Sequence, residues 1–246
     1  MRFLRRNSLW GLFVTVLLVI IGCNQATLEQ PTATIPIGLL ATLSGESVSV
    51  GESTTMGAEL AIADLKAAGG ILVEGQNYDI SLVIEDDQDQ VDACLNAVRK
   101  LIYQDKVVAI VGPQFSRNAI PAAQLAEEAK VPLISPRATN PEVTKEKDFV
   151  FRTIFIDPFQ GEVMANFARQ ELGATTAGIL YDVASAYNRG IAEVFRDRFE
   201  AAGGQVVAFE SYTTGATDFT PFLTPIREAQ PDVVFLPNYE FEVPIQ

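Results

Sequence analysis

The chain has 246 residues, with 18 Lys and Arg against 31 Asp and Glu, no histidine and two cysteines. At 48 % hydrophobic and 20 % charged it holds enough apolar residues for a packed core, which excludes a disordered or coiled-coil chain. A net charge of −13 opposes nucleic-acid binding through phosphates, and the lack of histidine removes imidazole bases, His-based triads and His metal ligands.

The first residues read as a targeting segment and are set apart from the fold. Arg2, Arg5 and Arg6 form a basic start, and Leu9 to Ile21 an apolar run broken only by Gly11 and Thr15. That run is shorter than the roughly 20 residues a spanning helix needs. It ends in Gly22-Cys23 and resembles a bacterial lipoprotein signal, in which residues 1–22 are removed and Cys23 is lipidated as the mature N-terminus. An ordinary signal peptide, or an anchor with an incidental cysteine, is the alternative reading. Removal of the three arginines leaves 15 positive against 31 negative charges, or −16. Residues 23–34 are polar, contain Pro31 and read as a tether.

Beyond the tether, strands and helices alternate. Ile35 to Thr42 reads as a strand, and 51–68 as a helix with Met56, Leu60, Ala63 and Ala67 on one stripe, closed by Gly69-Gly70. Tyr78 to Glu85 is a strand and Asp89 to Gln104 a helix. On that helix Cys94 shares a stripe with Val91, Leu95, Val98, Leu101 and Ile102, which suits a buried core residue better than a reactive thiol. With Cys23 lipidated, Cys94 has no cysteine left to pair with. Val107 to Val111 has the unbroken apolar character of a strand covered on both faces. A helix to Lys130 and a short strand at Val131 to Ile134 follow, with Pro132 tolerated only near a strand start or an edge.

The pattern then restarts. Phe149 to Ile156 is extended, Pro158 to Leu172 helical, Ala177 to Tyr181 a strand and Ile191 to Ala202 a helix. Gln205 to Tyr212, a helix after Asp218, and Val233 to Leu236 complete the series. Lys66-Ala67-Ala68-Gly69-Gly70 is echoed by Glu200-Ala201-Ala202-Gly203-Gly204, each at the end of the first helix of its half. The expectation is an α/β protein of two Rossmann-like lobes with parallel sheets. Lobe 1 spans residues 35–155 and lobe 2 residues 156–246, joined by a hinge near Arg152 to Phe159.

Ligands of open α/β sheets bind beyond the carboxyl ends of the strands. The loops there hold Leu43-Ser44-Gly45, Gly112-Pro113-Gln114-Phe115-Ser116, Ser135 to Asn140, Tyr181 to Asn188, and Pro237 to Tyr239. These are hydroxyls, amides and tyrosines, with no nucleophile beside a base and no carboxylate pair at a defined spacing. The inventory suits binding of a small polar molecule. The acidic run of Glu85, Asp86, Asp87, Asp89 and Asp92 lacks the glycine turn and following glutamate of a calcium loop, and reads as a strand end entering a helix N-terminus. Thr213 to Thr217, with one glycine and no lysine, is not a phosphate loop.

Several pieces occur in a telling order: Leu43-Ser44-Gly45, Gly57-Ala58-Glu59, Ala68-Gly69-Gly70-Ile71, Glu85-Asp86-Asp87, Val111-Gly112-Pro113 with Ser116, Ser135-Pro136 with Ala138-Thr139-Asn140-Pro141, and Phe151-Arg152-Thr153 with Asp157 and Gln160-Gly161. Together, over residues 35–242, they resemble the leucine/isoleucine/valine-binding family of type I periplasmic binding proteins, the solute receptors of ABC importers. The resemblance implies two lobes closing over one amino acid or similar solute, partnership with membrane permease subunits, a place in the periplasm or at the cell surface, no cofactor and no catalysis. A ligand-binding sensor module for amides, urea or amino acids is the alternative on the same fold.

The resemblance also implies a ligand-binding set of Ser116, Arg137, Ala138, Thr139, Tyr187 and Tyr239. Ser116 and Thr139 match hydroxyls that hold the ligand's α-carboxylate and α-amine, Arg137 a position that offers its backbone carbonyl, and Tyr187 and Tyr239 aromatics that close from lobe 2. For Ser116 and Thr139, local capping would use the same hydroxyls, and the two tyrosines could equally be core residues. The chain departs from the pattern twice. Val50 stands where relatives often carry a tyrosine, which leaves one wall of the pocket open, and Arg137 replaces a usually small residue, its side chain pointing to solvent or, as the alternative, entering the pocket and favouring an anionic side chain. Relatives continue for several more βα units, including the acidic residue that neutralises the ligand's amine. Residues 23–246 alone are therefore expected to bind solute weakly at most.

Overall fold

A computed structural model describes residues 33–45 and 47–239. Cys23, the 1–22 segment and most of the tether lie outside the described residues, as does the end of the second half. Among the described residues no helix is long and apolar enough to cross a membrane.

The chain runs β1 (Ala33–Ala41), α1 (Val48–Ala67), β2 (Ile71–Val73), β3 (Gln76–Asp86), α2 (Val91–Tyr103), β4 (Ala109–Val111), α3 (Ser116–Ala129), β5 (Leu133–Ser135) and β6 (Val150–Arg152). It continues with α4 (Asp157–Asn166), β7 (Thr176–Asp182), α5 (Ala186–Ala201), β8 (Gln205–Tyr212), α6 (Thr220–Ala229) and β9 (Val233–Phe235). One sheet has the order β2-β3-β1-β4-β5-β6 and a second the order β8-β7-β9. Every pairing is parallel except β2 with β3. The α/β class and the two mostly parallel sheets match the expectation.

β1 is central because its sequence is apolar on both faces: Leu39, Leu40 and Ala41 are all fully buried. Its parallel register with β3 brings Ala41 opposite Asp86, so Thr42 and Asp87 emerge side by side at the same sheet edge. There the Thr42 hydroxyl donates to Asp87 at 2.7 Å. The acidic run is thereby accounted for. Asp86 accepts from the Leu43 N–H and the Ser44 hydroxyl, Asp89 pairs with Arg117, and Glu85 pairs with Lys100.

The core of the first sheet packs Cys94, Val98, Leu101 and Ile102 of α2 and Ala119, Ala122, Ala123 and Ala126 of α3 against Leu40, Ile110 and Leu133. Burial pushes the Cys94 thiol far up, which keeps it protonated and inert, as the stripe suggested. Pro132 stands just ahead of β5, where its missing N–H costs no ladder bond while its carbonyl accepts from Ile110. In the second half, Phe195 and Phe199 of α5 pack with Ile179 and Tyr181 of β7 on one sheet face. Phe219 and Ile226 cover the other with Leu180 and Tyr212.

Four local readings need correction. The Met56–Leu60 stripe of α1 faces outward, with Met56 62 % and Leu60 65 % exposed. Gly51 sets the rotation instead: a Cβ there would lie 1.9 Å from the Thr42 carbonyl oxygen, so the helix start turns its bare glycine onto the end of β1. The strict β–α alternation is interrupted by the β2–β3 hairpin, an antiparallel edge strand. The helix expected over 158–172 is α-helical only to Asn166 and continues as a π-turn over Phe167–Glu171. β1, for its part, begins at Ala33, two residues ahead of the expected start.

Candidate functional site

β1, β4 and β5 point their carboxyl ends the same way, and the turns that leave β4 and β5 meet α5 and the segment after β9. α3 starts at Ser116 directly after the extended Phe115, which places the Ser116 hydroxyl at a helix N-terminus. That hydroxyl oxygen accepts from the Asn140 backbone N–H at 3.3 Å, tying the turn after β4 to the turn after β5. Ser135 strengthens the same junction, donating to the Pro113 carbonyl at 2.8 Å and accepting from the Ala138 N–H at 3.2 Å. Arg152 holds the turn from behind. Its guanidinium donates to the carbonyls of Ala138, Asn140 and Pro141 and to the Thr144 hydroxyl. Four donors spent on one loop fix the positions of Ala138 and Thr139.

From the other side, the Asn140 amide donates to the Ala186 carbonyl at the start of α5, at 2.9 Å. The Asn188 amide donates to Asn238 at 3.3 Å, which fixes the segment after β9. Tyr187 and Tyr239 stack with ring centroids 5.3 Å apart, and Tyr239 meets the Phe115 ring edge-on at 5.0 Å. Burial pushes the Tyr239 phenol well up, so it stays neutral at ordinary pH.

Between these elements lies a cavity of about 260 Å³. Ser116, Arg137, Ala138, Thr139, Tyr187 and Tyr239 all line it. It falls just below the about 300 Å³ at which drug-sized ligand pockets begin, a size for a small metabolite. Gln114, Ile154, Phe155, Gln160 and Asn238 complete the lining. Sequence reasoning placed none of these five in the site. Gln160 stands in the ordered motif and Gln114 and Asn238 in loops beyond the strand ends, but their convergence is a product of tertiary structure.

The two departures take definite places in the structure. Val50 lines a second, larger and mainly apolar cavity of about 830 Å³ between α1 and the first sheet, so it is no wall of the small one. The Arg137 side chain does not point away to solvent. Its guanidinium lies 5.2 Å from the Phe115 ring centroid and 5.7 Å from that of Tyr239, inside the lining.

Asp157 opens α4 directly behind Thr139 and is only 1 % exposed. Neither of its carboxylate oxygens makes a hydrogen bond of good geometry. Burial raises its pKa from 3.8 to about 6, which the Thr139 hydroxyl and the Arg152 charge offset only in part. The folded state thus holds this proton more tightly than the unfolded state. Between pH 3.8 and about 6, stability falls as pH rises, by on the order of 2–3 kcal/mol in full. Asp157→Asn should flatten that slope and raise the melting temperature at neutral pH, as melting curves of both proteins at pH 4.5 and 7.5 will show. An unchanged slope would place the titration elsewhere.

Comparison with known proteins finds relatives of the same fold. A family profile described as periplasmic binding protein matches residues 34–240. An amino acid binding protein of Pseudomonas aeruginosa is 33 % identical over 204 residues, covering 82 % of this chain and 53 % of that protein. The leucine-, isoleucine-, valine-, threonine- and alanine-binding protein of the same organism is 31 % identical over 226 residues, covering 89 % and 57 %. Among solved structures, the leucine binding protein LivK of Thermotoga maritima superposes with a TM-score of 0.77 at 31 % identity, covering 82 % of this chain and 56 % of that one. The branched-chain amino acid transporter substrate binding protein LivJ of Streptococcus pneumoniae, in complex with isoleucine, gives 0.76 at 36 %, covering 84 % and 57 %. The chain spans about half the length of the curated relatives it matches.

Proposed function

Since the chain belongs to the periplasmic binding protein family, we propose that it is the extracytoplasmic receptor of an ABC importer and binds one amino acid or similar solute without transforming it. The observation that supports this most strongly is the single small cavity lined by all six residues of the ligand-binding set, drawn from both halves of the chain. Residues 35–155 form one lobe and the residues from 156 onward the other, and they close on the solute about the Arg152 to Phe159 segment. Ser116 has its lone pair engaged by the Asn140 N–H, which leaves its O–H to donate to a carboxylate. The α3 N-terminus adds a favourable field for the same anion. The closed receptor carries the solute to membrane permease subunits, where reopening of the lobes releases it.

Cys23 carries the lipid that holds the receptor at the membrane, since several acyl chains anchor stably where one does not. Native mass spectrometry of protein extracted from membranes tests both parts. It should give a mass lacking residues 1–22 and increased by acyl chains, with a small solute bound one to one. A Cys23→Ser protein should leave the membrane fraction. An unprocessed mass, or a Cys23→Ser protein still membrane-bound at the same level, would refute the anchor. Repeated absence of any bound or bindable solute would refute the receptor.

A further inference from the structure

We propose that solute binding takes up a proton at Asp157, so that this carboxyl couples closure of the two lobes to acidity. The inference rests on the receptor reading above and adds a regulation of the same site. Asp157 stands where three elements meet. It opens α4, and its backbone N–H donates to the Thr139 carbonyl in the turn after β5 at 3.0 Å. On α5, a Cβ at Gly190 would lie 3.4 Å from the Asp157 Oδ2 and 3.3 Å from the Asn140 amide nitrogen, so the helix approaches both. The Asn140 amide ties the turn to the Ala186 carbonyl beside them. Thr139 and Asn140 belong to the first half and α4 and α5 to the second, which makes the burial of Asp157 a product of the closed junction.

That junction offers a charge on Asp157 little to meet it. Neither carboxylate oxygen makes a hydrogen bond of good geometry. The charged groups on the surrounding elements are Arg137 in the turn, Arg152 at the end of β6, Arg189 beside Gly190 and Glu162 on α4, and Tyr187 on α5 adds a phenol. Of these, Arg152 is the one whose charge favours the ionised form, and its guanidinium is engaged by three carbonyls and the Thr144 hydroxyl. Arg189 is exposed, and Glu162 pairs with Arg198. Burial prevails, and the closed form keeps the proton up to about pH 6. Opening the lobes admits water, and the group then ionises near its ordinary 3.8. Closing therefore takes up a proton between these values, and affinity falls as pH rises through the window. The window is otherwise quiet. The chain has no histidine. Asp89, the other carboxyl that burial raises among the described residues, lies within the first half against Arg117, where opening leaves its surroundings in place.

Calorimetric titration of the purified protein with L-leucine, L-alanine and L-glutamine, whose own charges stay fixed between pH 5 and 7.5, tests the coupling. In buffers of different ionisation enthalpy at pH 5, a solute that binds should bring nearly one proton with it. Its affinity should be about tenfold higher there than at pH 7.5. Asp157→Asn, which stays uncharged at every pH, should bind without proton uptake and with one affinity at both pH values. Carboxyl-carbon NMR of the unmodified protein reads the same coupling without a substitution. A carboxyl that titrates near pH 6 in the solute-saturated protein should move toward 3.8 when the solute is removed. Equal affinity at both pH values in the unmodified protein, or a proton uptake that survives in folded Asp157→Asn, would overturn the coupling and leave the receptor reading standing. Binding of none of the three solutes at either pH would remove both.

Discussion

Ser116→Ala should weaken solute binding about tenfold or more, because it deletes a hydrogen bond to a charged group worth about 1.5–3 kcal/mol. The hydroxyl is 2 % exposed at the first residue of α3, so water does not substitute for it freely. The loss is compounded locally. Ser116 also accepts from the Asn140 N–H, and without it that donor is left buried and the Ala138–Asn140 turn loosens. Thr139→Val keeps the shape of the side chain and removes only the hydroxyl, so it isolates the polar contribution at the neighbouring position. Both substitutions are to be read by titration calorimetry beside melting curves, which separate lost affinity from lost stability. Dissociation constants that stay unchanged in both proteins would remove these hydroxyls from the site and leave them as links between turns.

Gly112→Ala should destabilise the fold by about 2–4 kcal/mol. Gly112 leaves β4 with φ near +103°, in a region side chains avoid. A Cβ there would stand 2.3 Å from the Leu40 carbonyl oxygen and 3.0 Å from the Leu40 Cβ. The backbone cannot yield easily, since the Gly112 N–H is bonded to the Ile134 carbonyl at 2.9 Å and Leu40 is fully buried. Gly75, in the β2–β3 turn, provides the comparison. Its φ is also positive, at +85°, but a Cβ would meet nothing within 4 Å. Gly75→Ala therefore carries conformational strain alone, and urea unfolding should rank Gly112→Ala as clearly the more damaging. Equal losses would mean that the crowding at Leu40 is relieved by small shifts.

Much of this architecture was legible along the chain because both signals it uses are local. Runs such as Leu39-Leu40-Ala41 are apolar on both faces and announce a central strand, and the Cys94–Val98–Leu101 spacing announces a helix with one buried face. The reading failed where a long-range contact overrides the local pattern. On α1 the apolar stripe is real but the Gly51–Thr42 approach decides which side turns inward, and no periodicity encodes that contact. The β2 edge strand is three residues long with Leu72 68 % exposed, too short and too open to show an alternation. The site divides in the same way. Ser116 and Thr139 stand in turns that follow strands, where position in the chain already suggests exposure to a ligand. Phe155, Gln160 and Asn238 enter only because the segment after β6, the first turns of α4 and the segment after β9 fold onto those turns. The path of the Arg137 side chain was decided by the Phe115 and Tyr239 rings, 22 and 102 positions away in the chain.

The central claim is that a small solute is held in the cavity between Ser116, Thr139 and the Tyr187–Tyr239 pair. Thermal melting of the purified protein across a panel of amino acids and small carboxylates, each taken to millimolar concentration, tests it most directly, because a ligand that binds only the native state raises the melting temperature as its concentration rises. A saturable rise with a narrow set of solutes is expected, lost when Ser116 and Thr139 are replaced together. A melting temperature that no solute in the panel moves, or a rise that survives the double replacement undiminished, would contradict it.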